Sequence, residues 1–329
     1  MTDTPNQDRQ ALKWLLFGSA SVRQYCPVGL RDPQSEVSVW LHGLGAPRDV
    51  THSNVVASAR PLALGIGLEK ELDLETVRRA RPSLKFCEQQ GEHRLLGEIG
   101  LRPTEAISLE DGQLVVFEPH QCKNYCVPRP RLWARYLYIA YRQRRSRNRS
   151  QAPELQIPAA HLHCLFVFYI CPRPVVLVTV ADADLVNIVP MDLIGPITTR
   201  CFSLALHSTS TAAPLMVGSR RVALSDVPSE RAAVAYQLGR NHKVPCADVD
   251  HLPFATTSSA RFRLPVPSFA LRVREMVIES VRPMGGYTLF LASAVEDHRL
   301  ADGPQFFLVH GFYQRLVASK ALSLPVLGS

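Results

Sequence analysis

Short apolar runs separated by polar turns dominate the chain, and few segments keep a helical period for long. Glu36 to Leu41 (EVSVWL) alternates polar and apolar residues, which is the period of a half-buried strand. A polar turn with Ser53 and Asn54 leads to a second apolar strand, Pro61 to Leu68, and Leu95 to Ile99 and Leu114 to Phe117 add two more. Leu165 to Ile170 reads as an apolar and aromatic strand, and Pro174 to Ser225 holds three or four short strands in quick succession. From Ser268 a long strand carries Leu271 and Val273 in alternation with Arg272 and Arg274. Gly285-Gly286 then turns it into Tyr287 to Val295, and Gln305 to Tyr313 closes the set.

Helical spacing is confined to four places. Asp8 to Phe17 puts Leu12, Leu15 and Leu16 on one side, and Leu72 to Arg79 is a second short stretch. Pro130 opens a longer helix whose Trp133, Tyr136, Leu137, Ala140 and Tyr141 fall on one face, predicted to pack in the core. Ser229 to Leu238 is the last, with Ser225 and Asp226 as its cap and Gly239 as its stop. The pattern predicts a mainly β protein, a β-barrel with peripheral helices.

Length changes that picture. At 329 residues the chain is long for one small barrel and suits two domains. Twenty-five prolines favour strands, turns and edges over long helices. The net charge of +8 suggests a polyanionic partner until it is located: five arginines lie within Arg142 to Arg149, and without them +3 is left. Like charges followed by Ser150-Gln151-Ala152-Pro153 read as an exposed linker, giving domains 1–141 and 161–329 around a basic and polar linker, 142–160. No aromatic ladder accompanies the arginines, so a solvated linker is expected there rather than a nucleic-acid surface.

Eight irregularly spaced cysteines, no signal-peptide pattern and no apolar run near 18 residues predict a cytoplasmic protein with reduced thiols and no membrane segment. Cys122 and Cys126 have no second pair at metal-ligand spacing. His161 and His163, with Cys164 and Cys171, lack a convincing carboxylate or third ligand, so no metal is expected.

The candidate chemistry lies between Pro174 and Ser225. A flat, phosphorylated cofactor needs an apolar slot, a few backbone amides, and cations or hydroxyls for its phosphate. Asn187-Ile188-Val189-Pro190-Met191-Asp192 can supply a proline-stiffened turn with exposed amides and an apolar contact. Ser219, Arg220 and Arg221 can supply a cationic, hydroxyl-bearing loop, and the strand before it ends near Ser208.

Over roughly Pro172 to Leu316 these features resemble the flavin-reductase-like, FMN-binding split-barrel family. Its members carry an Asn-x-x-Pro segment like Asn187 to Pro190 and a basic loop like Ser219-Arg220-Arg221. Asp192 stands where many members have serine. The resemblance implies an FMN-binding (or FAD-binding) split barrel that passes hydride from NAD(P)H to flavin. Asn187, Ile188, Val189, Pro190, Met191, Asp192, Ser208, Ser219, Arg220 and Arg221 would then contact the cofactor. It also implies cofactor sites between two barrels, so a homodimer or an intrachain pseudo-dimer is expected. The same residues fit a non-enzymatic split-barrel protein that binds a cofactor or a partner. Glu36 to Leu68 repeats the strand-turn-strand order of Val175 to Ser208, which reads either as an internal duplication or as a rhythm that all-β domains reuse.

Overall fold

The computed structural model describes residues 25–319 apart from 32–34, 70–72, 91, 148–156, 184, 245 and 247–250, so the predicted helix Asp8 to Phe17 lies outside the described residues. After β1 (Tyr25–Leu30), seven strands form one antiparallel sheet. They are β2 (Val37–His42), β3 (Arg48–Asp49), β4 (Asn54–Ala59), β5 (Leu62–Leu68), β6 (Ser83–Glu88), β7 (Leu95–Leu109) and β8 (Gly112–Asn124). Their spatial order is β3-β2-β6-β7-β8-β5-β4. The two edge strands, β3 and β4, are consecutive in sequence and joined only by Val50 to Ser53. The edges must therefore approach each other, and the sheet curls into a barrel split at that seam. Alternate side chains fill its interior: Val37, Val39, Leu41, Leu84 and Phe86 have no exposed surface.

Three helices belong to this part of the chain: α1 (Leu74–Ala80) between β5 and β6, then α2 (Arg129–Arg147) and α3 (Ala159–Phe168). β9 (Arg173–Pro174) leads into a second seven-stranded sheet. Its members are β10 (Val176–Asp182), β11 (Leu185–Met191), β12 (Ile194–Pro196), β13 (Cys201–His207), β14 (Arg221–Asp226), β17 (Arg272–Met284) and β18 (Tyr287–Arg299). The order is β11-β10-β14-β17-β18-β13-β12, the same as in the first sheet when strands are counted within each half. Here too the edge strands are consecutive, joined by Asp192-Leu193, and the interior holds Val178, Val180, Leu204, Val222 and Phe290. The helix after the fourth strand recurs as α4 (Ala212–Ser219). Like α1 it ends on an arginine in the left-handed conformation, Arg81 (φ 50°) in one half and Arg220 (φ 56°) in the other. Helix α5 (Ala232–Leu238) and the hairpin β15 (Thr256–Ser258) and β16 (Pro265–Pro267) complete the second half. β19 (Gln305–His310) lies between β1 and β9, and α6 (Gly311–Ser319) follows it. The fold is thus mainly β and split-barrel in form. Among the described residues no helix is long and apolar enough to cross a membrane.

The halves meet through an apolar layer, with Val55, Ala57, Leu114 and Val116 on one side and Ile197, Cys201, Ala205, Leu289 and Leu291 on the other. The polar contacts around it are reciprocal. At the β17–β18 tip, Gly286 N donates to Arg60 O (2.7 Å) and Met284 O accepts from Ser58 Oγ (2.8 Å), both partners lying at the β4–β5 turn. At the β7–β8 tip, the Asp111 carboxylate accepts from Thr199 Oγ1 (3.1 Å) in the β12–β13 turn. Each hairpin tip rests on the turn between the third and fourth strands of the other half.

Several predicted elements differ. Leu165 to Ile170 is not a strand; most of it is the end of α3, because a short run apolar on every side has no period to separate the two states. The predicted core stripe of α2 is turned: Trp133, Leu137 and Tyr141 are exposed, while Ile139 and Arg135 are buried and Tyr136 is partly so. Helix α2 also continues through Arg147, so the arginines up to that point lie on a helix. Ser225 and Asp226 belong to β14 and cap nothing; α5 is reached through a 3₁₀ turn, Ser229–Arg231. Gln305 to Tyr313 is a strand only to His310.

Candidate functional site

The predicted cofactor turn is largely interior strand. Asn187 is fully buried in β11 and its Nδ2 donates to Asn241 O and Val244 O (both 3.1 Å), a structural role. Ile188 and Val189 have no exposed surface and Met191 almost none. Pro190 O accepts from His242 Nε2 (3.0 Å), while His242 Nδ1 faces Ser210 Oγ (3.2 Å). Burial lowers the His242 pKa and so favours the neutral ring. Asp192 accepts from Tyr169 Oη (2.7 Å), and burial raises its pKa.

The predicted phosphate loop lies elsewhere. Ser219 Oγ donates to Leu215 O (2.9 Å), closing the end of α4. Arg220 Nη1 reaches Ile278 O (3.4 Å) and Glu279 O (3.3 Å), and Arg221 lies 5.5 Å from the Phe262 ring centroid. Ser208 is exposed, its amide bonded to Gly286 O (3.0 Å). Pro190 pairs with Leu177, and Leu177 with Ser225. Arg221 is four residues back along β14, about 13 Å at the usual rise per residue. The Pro190 turn and the arginine pair therefore stand at opposite ends of the sheet. The residues placed together in the sequence reading do not converge, and none of the ten lines a cavity described below. The pattern gives strand parity but not the level along the neighbouring strand.

The cavities lie at the junction of the halves. One of about 290 Å³ occupies the mouth of the second barrel. The second half contributes Val176, Ile194, Gly195, Pro196, Phe202, Leu224, Asp226, Arg272 and Arg274, joined by Arg173, Gln305 and Phe307. The first half closes it with Thr51, His52 and Asn54. A wider cleft of about 920 Å³ shares Thr51, His52 and Pro196 with it and runs on past Arg48, Glu69, Asp111 and Thr199.

Local chemistry builds these walls. The 49–54 turn is held by Asp49, whose Oδ1 accepts from Thr51 N (2.8 Å) and Thr51 Oγ1 (2.5 Å), an aspartate turn of the usual kind. Thr51 Oγ1 also accepts from Val39 N (2.9 Å), and Asn54 Nδ2 donates to Val50 O (2.5 Å) and Thr51 O (3.1 Å). Arg173 fastens the turn to the second half through Nη1 to Asn54 O (2.9 Å) and Nη2 to Asn54 Oδ1 (2.5 Å). Its guanidinium lies 3.9 Å from the Phe168 ring centroid, and its buried Nε has no partner among the described residues. Burial lowers its pKa, and the aromatic face and amide oxygens offset part of that cost.

Arg272 and Arg274 share the face of β17 that further along carries Met276 and Ile278 into the barrel interior. They are inward residues at the mouth. Arg274 pairs with the buried Asp226 (2.8 Å) and lies 5.9 Å from the Phe202 ring centroid; Arg272 is bidentate to Asp297, both contacts 2.5 Å. The cavity thus joins an apolar slot to a cationic rim in which two of the arginines already have carboxylate partners. Two arginines at i and i+2 on a strand ending at a barrel mouth were a signal the sequence offered. Which side of the strand faces inward was not.

The other sequence candidates are structural. His161 Nδ1 accepts from Leu62 N (3.4 Å), and His163 stacks on Tyr136 with centroids 3.5 Å apart. Among the described residues no group of three His, Cys, Asp or Glu is placed to hold a metal ion. Burial depresses His163 to about 4 and drives His310 well below the ordinary imidazole value. The unfolded imidazole binds its proton near 6.5, so stability is full above that value and is lost as pH falls from 6.5 toward 4. For His163 the loss at pH 4.5 is expected to be about 2 kcal/mol after solvent screening. Urea midpoints at pH 7 and 4.5 for the wild type and His163→Phe check this; the substitution should make the pH dependence shallower.

No family model matches the chain, and no curated protein does. Solved structures are similar to part of it. The Streptomyces globisporus C-1027 NADH:FAD oxidoreductase SgcE6 is 16% identical with a TM-score of 0.42, covering 49% of this chain and 95% of that one. Component B of nitrilotriacetate monooxygenase from Bacillus cereus is 17% identical, TM-score 0.40, over 46% and 81%. The FMN-binding protein from Thermus thermophilus with bound p-hydroxybenzaldehyde is 20% identical, TM-score 0.38, over 43% and 82%. Over somewhat less than half its length, the chain is similar to FMN-binding and flavin-reductase structures.

Proposed function

We propose that this protein binds FMN in the cleft between its two halves and works as a flavin-reductase-like oxidoreductase. The observation that carries the reading is the mouth of the second barrel. Apolar side chains of Val176, Ile194, Phe202 and Leu224 form a slot there beside Arg173, Arg272 and Arg274, under a turn supplied by the other half. The wider cleft, about 920 Å³, falls in the size range of cofactor sites, and the 290 Å³ slot opens beside it.

In this reading Arg272 and Arg274 hold the phosphate, their carboxylate partners keeping the guanidinium planes oriented. Phe202 and Leu224 face the ring, Gln305 and Asn54 border the slot, and the unpartnered Nε of Arg173 is a donor in its wall. Bound flavin would supply the acceptor for a hydride from the nicotinamide of NAD(P)H, two electrons moving with that hydride and one proton coming from solvent. The protein's part is to orient two rings and exclude water, so a dedicated acid or base is not required. A polar cleft running on from the slot toward Arg48 and Thr199 gives the nucleotide a place to lie.

Titration with FMN, followed by flavin fluorescence quenching, should saturate, and the loaded protein should oxidise NADH or NADPH. Binding without NAD(P)H oxidation would leave a flavin-binding protein and remove the reductase reading. No binding would remove both.

A further inference from the structure

The two barrel mouths are counterparts, and only one of them is open. In the second half Val176 pairs with Asp226 and Leu224 with Arg274. In the first half the same strand positions are Val37 with Glu88 and Phe86 with Gly97. The 49–54 turn that overhangs the second mouth corresponds to the β11–β12 turn around Asp192, which overhangs the first. The reciprocal hairpin contacts describe the same approximate twofold relation, in which each half offers one patch twice.

At the first mouth the cationic position is occupied by Gly97, and the space is taken by α3. A Cβ on Gly97 would lie 2.6 Å from Val167 Cγ1 and 3.0 Å from Ile170 Cδ1. Phe168 stacks edgewise on Phe86 with centroids 6.3 Å apart, Cys171 Sγ reaches Val37 O (3.8 Å), and Leu193 of the overhanging turn packs on the same core. Tyr169 closes the rim by donating to Asp192.

We infer that the chain pairs two split-barrel halves in the manner of a dimer but carries one cofactor cleft, the other having been filled by α3. This rests on the cleft at the second mouth being the ligand site. The filled mouth accounts for the enclosure of Asp192 and Leu193: the β11–β12 turn occupies the equivalent place over a cleft that has become core.

Two measurements test this. Calorimetric titration with FMN should give one molecule per chain, and two per chain would overturn the inference. The second needs no ligand. Phe202 of the open mouth and Leu64 of the filled barrel both lie on the fourth strand of their half, Phe202 partly exposed and Leu64 enclosed. In a Cys246→Ser background, which removes an exposed thiol, the thiol introduced by Phe202→Cys should react with a maleimide at least a hundredfold faster than that introduced by Leu64→Cys. Val37→Cys provides a second, smaller change at the filled mouth and should be equally protected. Comparable labelling at both mouths would overturn the inference. Failure to take up FMN would sink the flavin assignment, and labelling would still decide whether one mouth or two are open.

Discussion

Arg272→Ala is expected to weaken FMN binding about tenfold to a hundredfold, the loss of one charge-assisted contact to a phosphate, roughly 1.5 to 3 kcal/mol. Arg272 is the cleaner of the two rim arginines to remove, because its partner Asp297 is partly exposed to water and keeps a second contact, 3.7 Å, to Arg274. Arg274 differs, since its removal would take the 2.8 Å ion-pair partner from the buried Asp226 and cost about 3 to 5 kcal/mol of stability. The informative variant there is Arg274→Met combined with Asp226→Asn, which removes both charges at once. It should bind FMN as weakly as Arg272→Ala while unfolding at a urea concentration closer to wild type than Arg274→Met alone. Arg220→Ala and Arg221→Ala serve as controls, and their affinities should stay within about twofold of wild type. The opposite result, with the loss at Arg220 or Arg221 and none at the rim, would move the ligand to the corner between α4 and β14 and reject the cleft.

Gly67→Ala should be among the most destabilising single substitutions available. A Cβ at Gly67 would stand 1.8 Å from Ile197 O, a backbone atom of the opposite half that no rotamer change can move. Separation of the halves by an ångström or more is the only relief, and it would disturb the apolar layer around Val55 and Leu291. Overpacking into side chains typically costs about 1 to 3 kcal/mol, and a backbone obstacle puts this substitution at or above the top of that range. Because the cleft is bounded on both sides of the same junction, FMN affinity should fall with stability. Gly239→Ala, whose Cβ meets nothing within 4 Å, is the control and should change little. A Gly67→Ala protein with wild-type urea midpoint would show that the halves do not approach as closely as the Ile197 contact requires.

Much of the β architecture was legible in the chain, and the reason is local. Strands such as Val37–His42, Leu62–Leu68 and Tyr287–Arg299 announce themselves by alternation, and Gly285-Gly286 marks a hairpin whatever lies around it. The strand-turn-strand order seen twice in the sequence falls on the first strands of each sheet, and the two sheets share one strand order. What could not be read was which of the two turns faces an empty mouth. That depends on α3, whose apolar run has no period to separate helix from strand, and on Gly97, whose meaning comes from Val167 seventy residues away. The arginines of β17 were visible as alternating residues, but only closure of the barrel shows their face to be the inner one. The Pro190 turn and the Arg220-Arg221 pair lie apart for a related reason: the pattern along one strand does not fix its level against the next.

Encoding both barrels in a single polypeptide has two effects. A homodimer of identical chains comes apart on dilution and must accept every substitution in both copies of its interface. Here the partners are tethered, so their association does not depend on protein concentration. Gly97 and Arg274 can mutate separately, which permits a division of labour that identical subunits are denied: one barrel can specialise in chemistry while its neighbour specialises in scaffolding.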